Sequence, residues 1–93
     1  MLNKDEAVLI DLREPADFKA GHISGAINIP FKKVESRMDE MEKFREKNVV
    51  LVDKMGQHAG AAGRSLREKG FTIYRLQGGM AEWNGQNLPV VKG

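Results

Sequence analysis

Val49-Val50-Leu51-Val52-Asp53-Lys54-Met55-Gly56-Gln57-His58-Ala59 carries the pattern that decides how this 93-residue chain folds. Val49 to Val52 is an uninterrupted apolar run, mostly β-branched, which suits a strand buried on both faces. The six residues Asp53 to His58 follow, with a glycine among them. An alanine-rich stretch from Ala59 to Lys69 then reads as a helix, stopped by Gly70. In a strand–loop–helix unit of this kind the loop N–H groups can converge, and the helix adds its positive end. The centre therefore favours an anion. Ligand sites in open α/β sheets lie beyond the carboxyl ends of strands, where Asp53 falls.

The rest of the chain repeats the alternation. Ala7-Val8-Leu9-Ile10 reads as a first buried strand, with Asp11 at its carboxyl end. Pro15 opens a short helix over Ala16-Asp17-Phe18-Lys19, and Gly21 ends it. Ala26-Ile27-Asn28-Ile29 reads as a second strand, stopped by Pro30. Between Lys32 and Lys47 the apolar residues Val34, Met38, Met41 and Phe44 share one helical face, which predicts a single amphipathic helix. Ile73-Tyr74-Arg75-Leu76 is a further strand. Gly78-Gly79 turns into a short helix bearing Trp83, and the tail from Asn84 is irregular. The expected fold is α/β, a central, mainly parallel sheet flanked by helices. Phe18, Phe44, Phe71, Trp83, Met38 and Met41 are expected in the core, and Met55 on the surface.

Composition narrows the function. One domain over residues 1–93 is expected from the length. Fifteen basic against 13 acidic residues leave a net charge of +2, too balanced to indicate nucleic acid. The chain has no cysteine, which removes disulfides, thiolate metal sites and thiol nucleophiles. No apolar run approaches the roughly 18 residues of a membrane span. No cofactor is expected. Asp53, His58 and His22 could in principle meet at zinc, but their spacing follows no metal motif, and no metal site is expected. A phosphoryl-accepting role for Asp53 would need magnesium and further carboxylates, for which only Asp11 is at hand.

Two separated signatures tie these elements to a known family. One is Ile10-Asp11-Leu12-Arg13, continued by Phe18, Gly21-His22-Ile23 and Gly25-Ala26-Ile27-Asn28-Ile29-Pro30. The other is Leu76-Gln77-Gly78-Gly79-Met80, then Trp83 and Leu88-Pro89-Val90. From Val8 to about Val91 the chain resembles the rhodanese-like (thiosulfate sulfurtransferase) domain family, and within it the cysteine-less bacterial members. The resemblance implies that Asp53 occupies the position of the cysteine that carries persulfide in active members. A carboxylate cannot carry that sulfur. The loop Asp53, Lys54, Met55, Gly56, Gln57, His58 has the sulfurtransferase length, one residue shorter than in the phosphatase relatives. Active members often end it with an arginine that holds the anionic substrate; here it ends with His58, a weaker and pH-dependent donor. Asp11, Arg13 and His22 match family positions that brace the fold and the surroundings of the site. The family's first short strand and helix are expected to be missing, so that the chain is a fragment of a longer protein. Some cysteine-less relatives carry a membrane anchor upstream.

Asp53 itself has two compatible readings: the centre of a remodelled binding loop, or a cap for the helix that follows. As the centre of the loop it would act as an internal anion and repel thiosulfate or phosphate. The leading functional expectation is a non-catalytic binding or regulatory module, cytoplasmic or anchored through an absent segment, that presents the Asp53–His58 loop to a protein partner. The alternative is a thiosulfate sulfurtransferase whose cysteine has been replaced by Asp53. A purely structural role in a larger membrane-bound protein is a further expectation.

Overall fold

The computed structural model describes residues 7–55, 57–76 and 78–92. Gly56 and Gln77, both in the motifs named above, lie outside them, as does the N-terminal segment before Ala7. Strand β1 (Ala7–Asp11) leads through α1 (Pro15–Ala20) to the short β2 (Ile27–Asn28). A broken helical segment ending in α2 (Met38–Glu42) returns the chain to β3 (Asn48–Val52). Helix α3 (Gln57–Glu68), β4 (Thr72–Arg75) and α4 (Gly79–Gly85) complete it.

The four strands are parallel and lie in the order β2-β1-β3-β4. From β1 the chain moves to one side of the sheet, and from β3 it moves to the other. A crevice therefore opens at the carboxyl ends of β1 and β3, where such sheets bind ligands. Asp11 pairs with Val52 in register, and the Leu12 N–H donates to the Val52 carbonyl at 2.7 Å. Asp53 follows one residue later, beside the end of β1. Ile10, Ile29, Val49 and Leu51 are completely buried, with Met41 and Leu66 packed over them. On α3 the added Cβ of Gly63 would stand 3.2 Å from Ile73 and 3.6 Å from Leu51, so glycine lets the helix approach the sheet closely. The helix ends at Gly70, φ +96°, where the Gly70 N–H bonds the Arg67 carbonyl and the Phe71 N–H bonds that of Leu66. That pair of bonds is the Schellman arrangement.

The fold class is the one the sequence predicts, but four elements differ in detail. The expected helix from Lys32 to Lys47 is broken into 3-10 turns at Phe31–Lys33 and Glu35–Arg37 and a single α-turn at Met38–Glu42. Its apolar residues after Val34 recur every third position, the period of a 3-10 helix, and i→i+3 bonds follow, such as Phe44 N–H to Met41 carbonyl at 2.8 Å. The Ser36 hydroxyl also binds the Lys33 carbonyl at 3.0 Å and competes with helix continuation. Helix α3 begins at Gln57, two residues early, and so takes His58 out of the loop. Phe44 and Phe71 are core residues, whereas Phe18 and Trp83 are half-buried. The tail is not wholly irregular. Trp83 Nε1 donates to the Pro89 carbonyl at 2.9 Å, and Val91 pairs antiparallel with His22.

Side chains pin the broken segment to α3. Arg45 donates to the Lys69 carbonyl and lies 4.5 Å over the Phe71 ring. The Ser65 hydroxyl donates to Glu35 at 2.8 Å, and with the Lys69 ammonium at 3.5 Å it holds the Glu35 carboxyl below its ordinary range. A carboxyl lowered on folding stabilises the native state above its unfolded pKa, and that benefit disappears as pH falls through the folded value. Both groups are exposed, so the effect is modest and screened by salt. NMR titration of Glu35 should show a midpoint below that of a free glutamate, rising towards it in Ser65→Ala; an unchanged midpoint in that variant would contradict the contact.

Candidate functional site

The loop after β3 is held between two helix N-termini. Asp53 is 2% exposed, and its Oδ2 accepts the backbone N–H of His58 at 2.6 Å and of Ala59 at 2.9 Å. These are two of the first N–H groups of α3, which lack partners within the helix. The carboxylate thus meets the positive end of α3 and satisfies donors that an N-cap side chain would otherwise serve. The cap reading of Asp53 is realised by this contact: the carboxylate caps the helix that follows.

Helix α4 grips the same loop through the backbone. The Met80 N–H donates to the Asp53 carbonyl at 2.7 Å, and the Ala81 N–H to that of Lys54 at 2.9 Å. Gly79 makes this approach feasible. Its φ is +60°, and a Cβ there would lie 2.4 Å from the Asp53 carbonyl oxygen and 2.7 Å from that of Lys54. The sequence reading assigned Gly78-Gly79 only to a turn. A glycine doublet opening a helix is also the signal for close backbone approach.

Arg13 lies in the wall of the site, but its guanidinium is committed elsewhere. It makes a two-pronged ion pair with the fully buried Asp11, Nε to Oδ1 at 3.1 Å and Nη2 to Oδ2 at 2.9 Å, and donates to the Gly21 carbonyl at 2.7 Å. Asn28 Nδ2 adds bonds to the Asp11 and Arg13 carbonyls at 3.0 and 2.9 Å. The group ties β1, the end of α1 and β2 together. His22 belongs to that region too: Nδ1 is 2.8 Å from the Phe18 carbonyl, and its ring stacks on Phe18 with centroids 3.8 Å apart.

Among the described residues, no group of three or more histidines and carboxylates is placed to hold a metal. The His58 ring stacks on Phe31, centroids 4.5 Å apart. Sequence spacing carried no sign of that pair.

Above Asp53 is a cavity of about 310 Å³. Leu12, Phe31 and Met55 make its apolar wall; Lys32 and Lys54 stand on its rim with Glu14 and Asp17. Lys54 is exposed and Met55 is 60% exposed. The site therefore combines a self-satisfied buried carboxylate with an accessible apolar lip.

A parallel sheet with a strand–loop–helix site at its switch point defines the class of protein. The model of the rhodanese-like domain matches residues 1–86, and the chain belongs to that family. Its similarity to the uncharacterized protein YibN of Escherichia coli K12 is 39% identity, covering 100% of the chain and 66% of that protein. With the uncharacterized protein YqhL of Bacillus subtilis it is 42%, covering 87% of the chain and 64% of that protein. The chain thus spans just under two thirds of each of these relatives. A rhodanese-related protein from Thermoplasma volcanium superimposes with a TM-score of 0.85 at 29% identity, over 94% of this chain and 85% of that one. This chain is a rhodanese-like domain with no cysteine.

The docking of α4 on the loop can be measured. Gly79→Ala should destabilise by at least roughly 2 kcal/mol, since a side chain there combines left-handed backbone strain with collision against fixed carbonyls. Gly25→Ala isolates the strain, because at φ +87° its Cβ meets nothing within 4 Å. Urea unfolding should show the larger loss at Gly79; equal losses would mean that α4 does not rest on the loop.

Proposed function

We propose that this chain is a non-catalytic rhodanese-like module that binds a protein partner through the Asp53–His58 loop and the apolar lip beside it. The carrying observation is the Asp53 carboxylate, 2% exposed and bonded to the His58 and Ala59 N–H groups. Persulfide chemistry needs a thiolate at that point, stabilised by the field of the loop and helix. Here a carboxylate uses that field, and no cysteine exists anywhere in the chain to replace it. A second anion such as thiosulfate would meet a filled cradle and a like charge. Arg13, held by Asp11 and Gly21, is not free to draw such an anion in.

What remains accessible suits recognition of another chain. Met55 is flexible and polarisable, and adapts to varied apolar surfaces. Leu12 and Phe31 form a shallow receptacle next to it, and Lys32 and Lys54 offer charge at the rim. The longer relatives support a module carried within a larger protein. The second reading, a sulfurtransferase in which only the nucleophile was exchanged, draws support from the intact loop: its N–H groups still converge on residue 53.

A thiosulfate:cyanide sulfurtransferase assay separates them. The parent should show no turnover above buffer. Asp53→Cys should fold, and its thiolate should take the outer sulfur of thiosulfate with release of sulfite, a single addition read by mass spectrometry, without sustained turnover, because His58 stands in the place of the usual arginine. Sustained turnover by Asp53→Cys would favour the second reading, and turnover by the parent would overturn the proposal.

A further inference from the structure

The cavity over Asp53 is built before anything enters it. The Phe31 N–H donates to the Leu12 carbonyl at 2.9 Å, which joins two of the apolar walls just past the ends of β2 and β1. The His58 ring covers one face of Phe31, 13° from parallel, and leaves the rest of that ring to the cavity. In the loop, the Ala81 N–H holds the Lys54 carbonyl at 2.9 Å. Met55, 60% exposed, is the one adaptable wall. Walls fixed in advance reduce the ordering cost of a complex.

Size and lining select the occupant. At about 310 Å³ the cavity stands at the small end of ligand pockets, which run from about 300 to 1,000 Å³. That suits one large side chain better than a nucleotide or another extended small molecule. A ring and a thioether in the wall favour an aromatic one. Ring pairs and sulfur–ring contacts both add attraction beyond the burial of area.

The rim carries both signs of charge, and the fold separates them. The crossovers β1–α1–β2 and β3–α3–β4 run in opposite directions along the sheet, so right-handed connections put α1 and α3 on opposite faces. Glu14 and Asp17 come from the start of α1. Lys32 comes from the 3-10 turn Phe31–Lys33, on the α3 side, since Phe31 stacks on His58. Glu14, Asp17, Lys32 and Lys54 are exposed, and among the described residues none of them belongs to an ion pair. A chain crossing the cavity meets carboxylates on one bank and an ammonium group on the other.

We propose that the cavity receives an aromatic side chain of a partner protein, from an extended segment with a basic residue on the α1 side of that anchor and an acidic residue on the Lys32 side. This names the partner's chemistry for the loop, and it rests on the reading of the loop as a non-catalytic binding surface. A buried aromatic anchor within a charged rim is the usual form of an interface hot spot. The opposed charges fix the direction of the segment more than they add affinity. A free apolar molecule would leave the rim unused.

NMR titration of the isotope-labelled protein with the peptide acetyl-Lys-Ser-Trp-Ser-Glu-amide tests it. Amide shifts should cluster at Leu12, Phe31, Lys54 and Met55. Alanine in place of the peptide's tryptophan should weaken binding about tenfold or more, and leucine about threefold. Met55→Ala should cost about fivefold, while Tyr74→Ala, an exposed aromatic outside the cavity, should stay within about twofold. Glu14 makes no capping bond through its side chain, so Glu14→Lys spares α1. It should weaken binding about threefold, and a peptide with glutamate in place of its lysine should restore it. Equal binding of the tryptophan and alanine peptides, or no rescue of Glu14→Lys, overturns the proposal. So does indole alone binding as tightly as the peptide, which would mark a small-molecule pocket. Shifts of the same amides on concentrating the protein alone would give the cavity to a second copy of this chain and overturn it too. No peptide effect without thiosulfate turnover sinks this inference alone; thiosulfate turnover by the same sample sinks the reading beneath it.

Discussion

A single carboxylate organises the functional end of this domain. Asp53 lies in the crevice between β1 and β3, completes the N-terminus of α3 through the His58 and Ala59 N–H groups, and gives its carbonyl to Met80 of α4. Strand, loop and two helices meet at one residue. A buried ionised group is tolerated only where it is bonded and its charge opposed. The end of α3 supplies both, the N–H donors and a partial positive charge. The same field would activate a thiolate in an active relative. In this chain it holds a carboxylate in place.

The Asp11–Arg13 pair supports that arrangement from the neighbouring strand. Asp11 is fully buried and Arg13 nearly so, with side-chain exposures of 0 and 10%. Removing one partner of such a pair leaves an uncompensated charge, typically a loss of about 3–5 kcal/mol. Its geometry also has a functional consequence. An arginine in the wall of an anion site is ordinarily its natural clamp, yet here its donors go to Asp11 and Gly21. The positive charge is consumed by architecture, and Lys32 and Lys54 remain on the rim of the cavity.

Much of this was legible in the sequence, for identifiable reasons. Val49–Val52 reads as a strand because β-branched residues run without a break, and Asp53 is located by that strand's end. Gly70 reads as a helix stop because only a left-handed residue closes the turn there. The single helix expected from Lys32 to Lys47 does not form because Met38, Met41 and Phe44 fit a helical face while their three-residue interval also fits 3-10 turns. Contacts joining distant residues were not legible at all. The Phe31–His58 stack and the docking of Gly79 on the Asp53 carbonyl depend on the crossovers that bring those segments together. Residue type alone places Trp83 in the core, whereas its indole N–H serves the tail at Pro89.

The account rests on the Asp53 carboxylate holding the first turn of α3. Amide hydrogen exchange at His58 and Ala59 in the parent and in Asp53→Ala reads that contact directly. Both amides should be protected in the parent and exchange much faster in the variant, while Leu51 and Leu66 in the core keep their protection. Unchanged protection at His58 and Ala59 in Asp53→Ala would show that the carboxylate does not fill the cradle, and the central claim would fail.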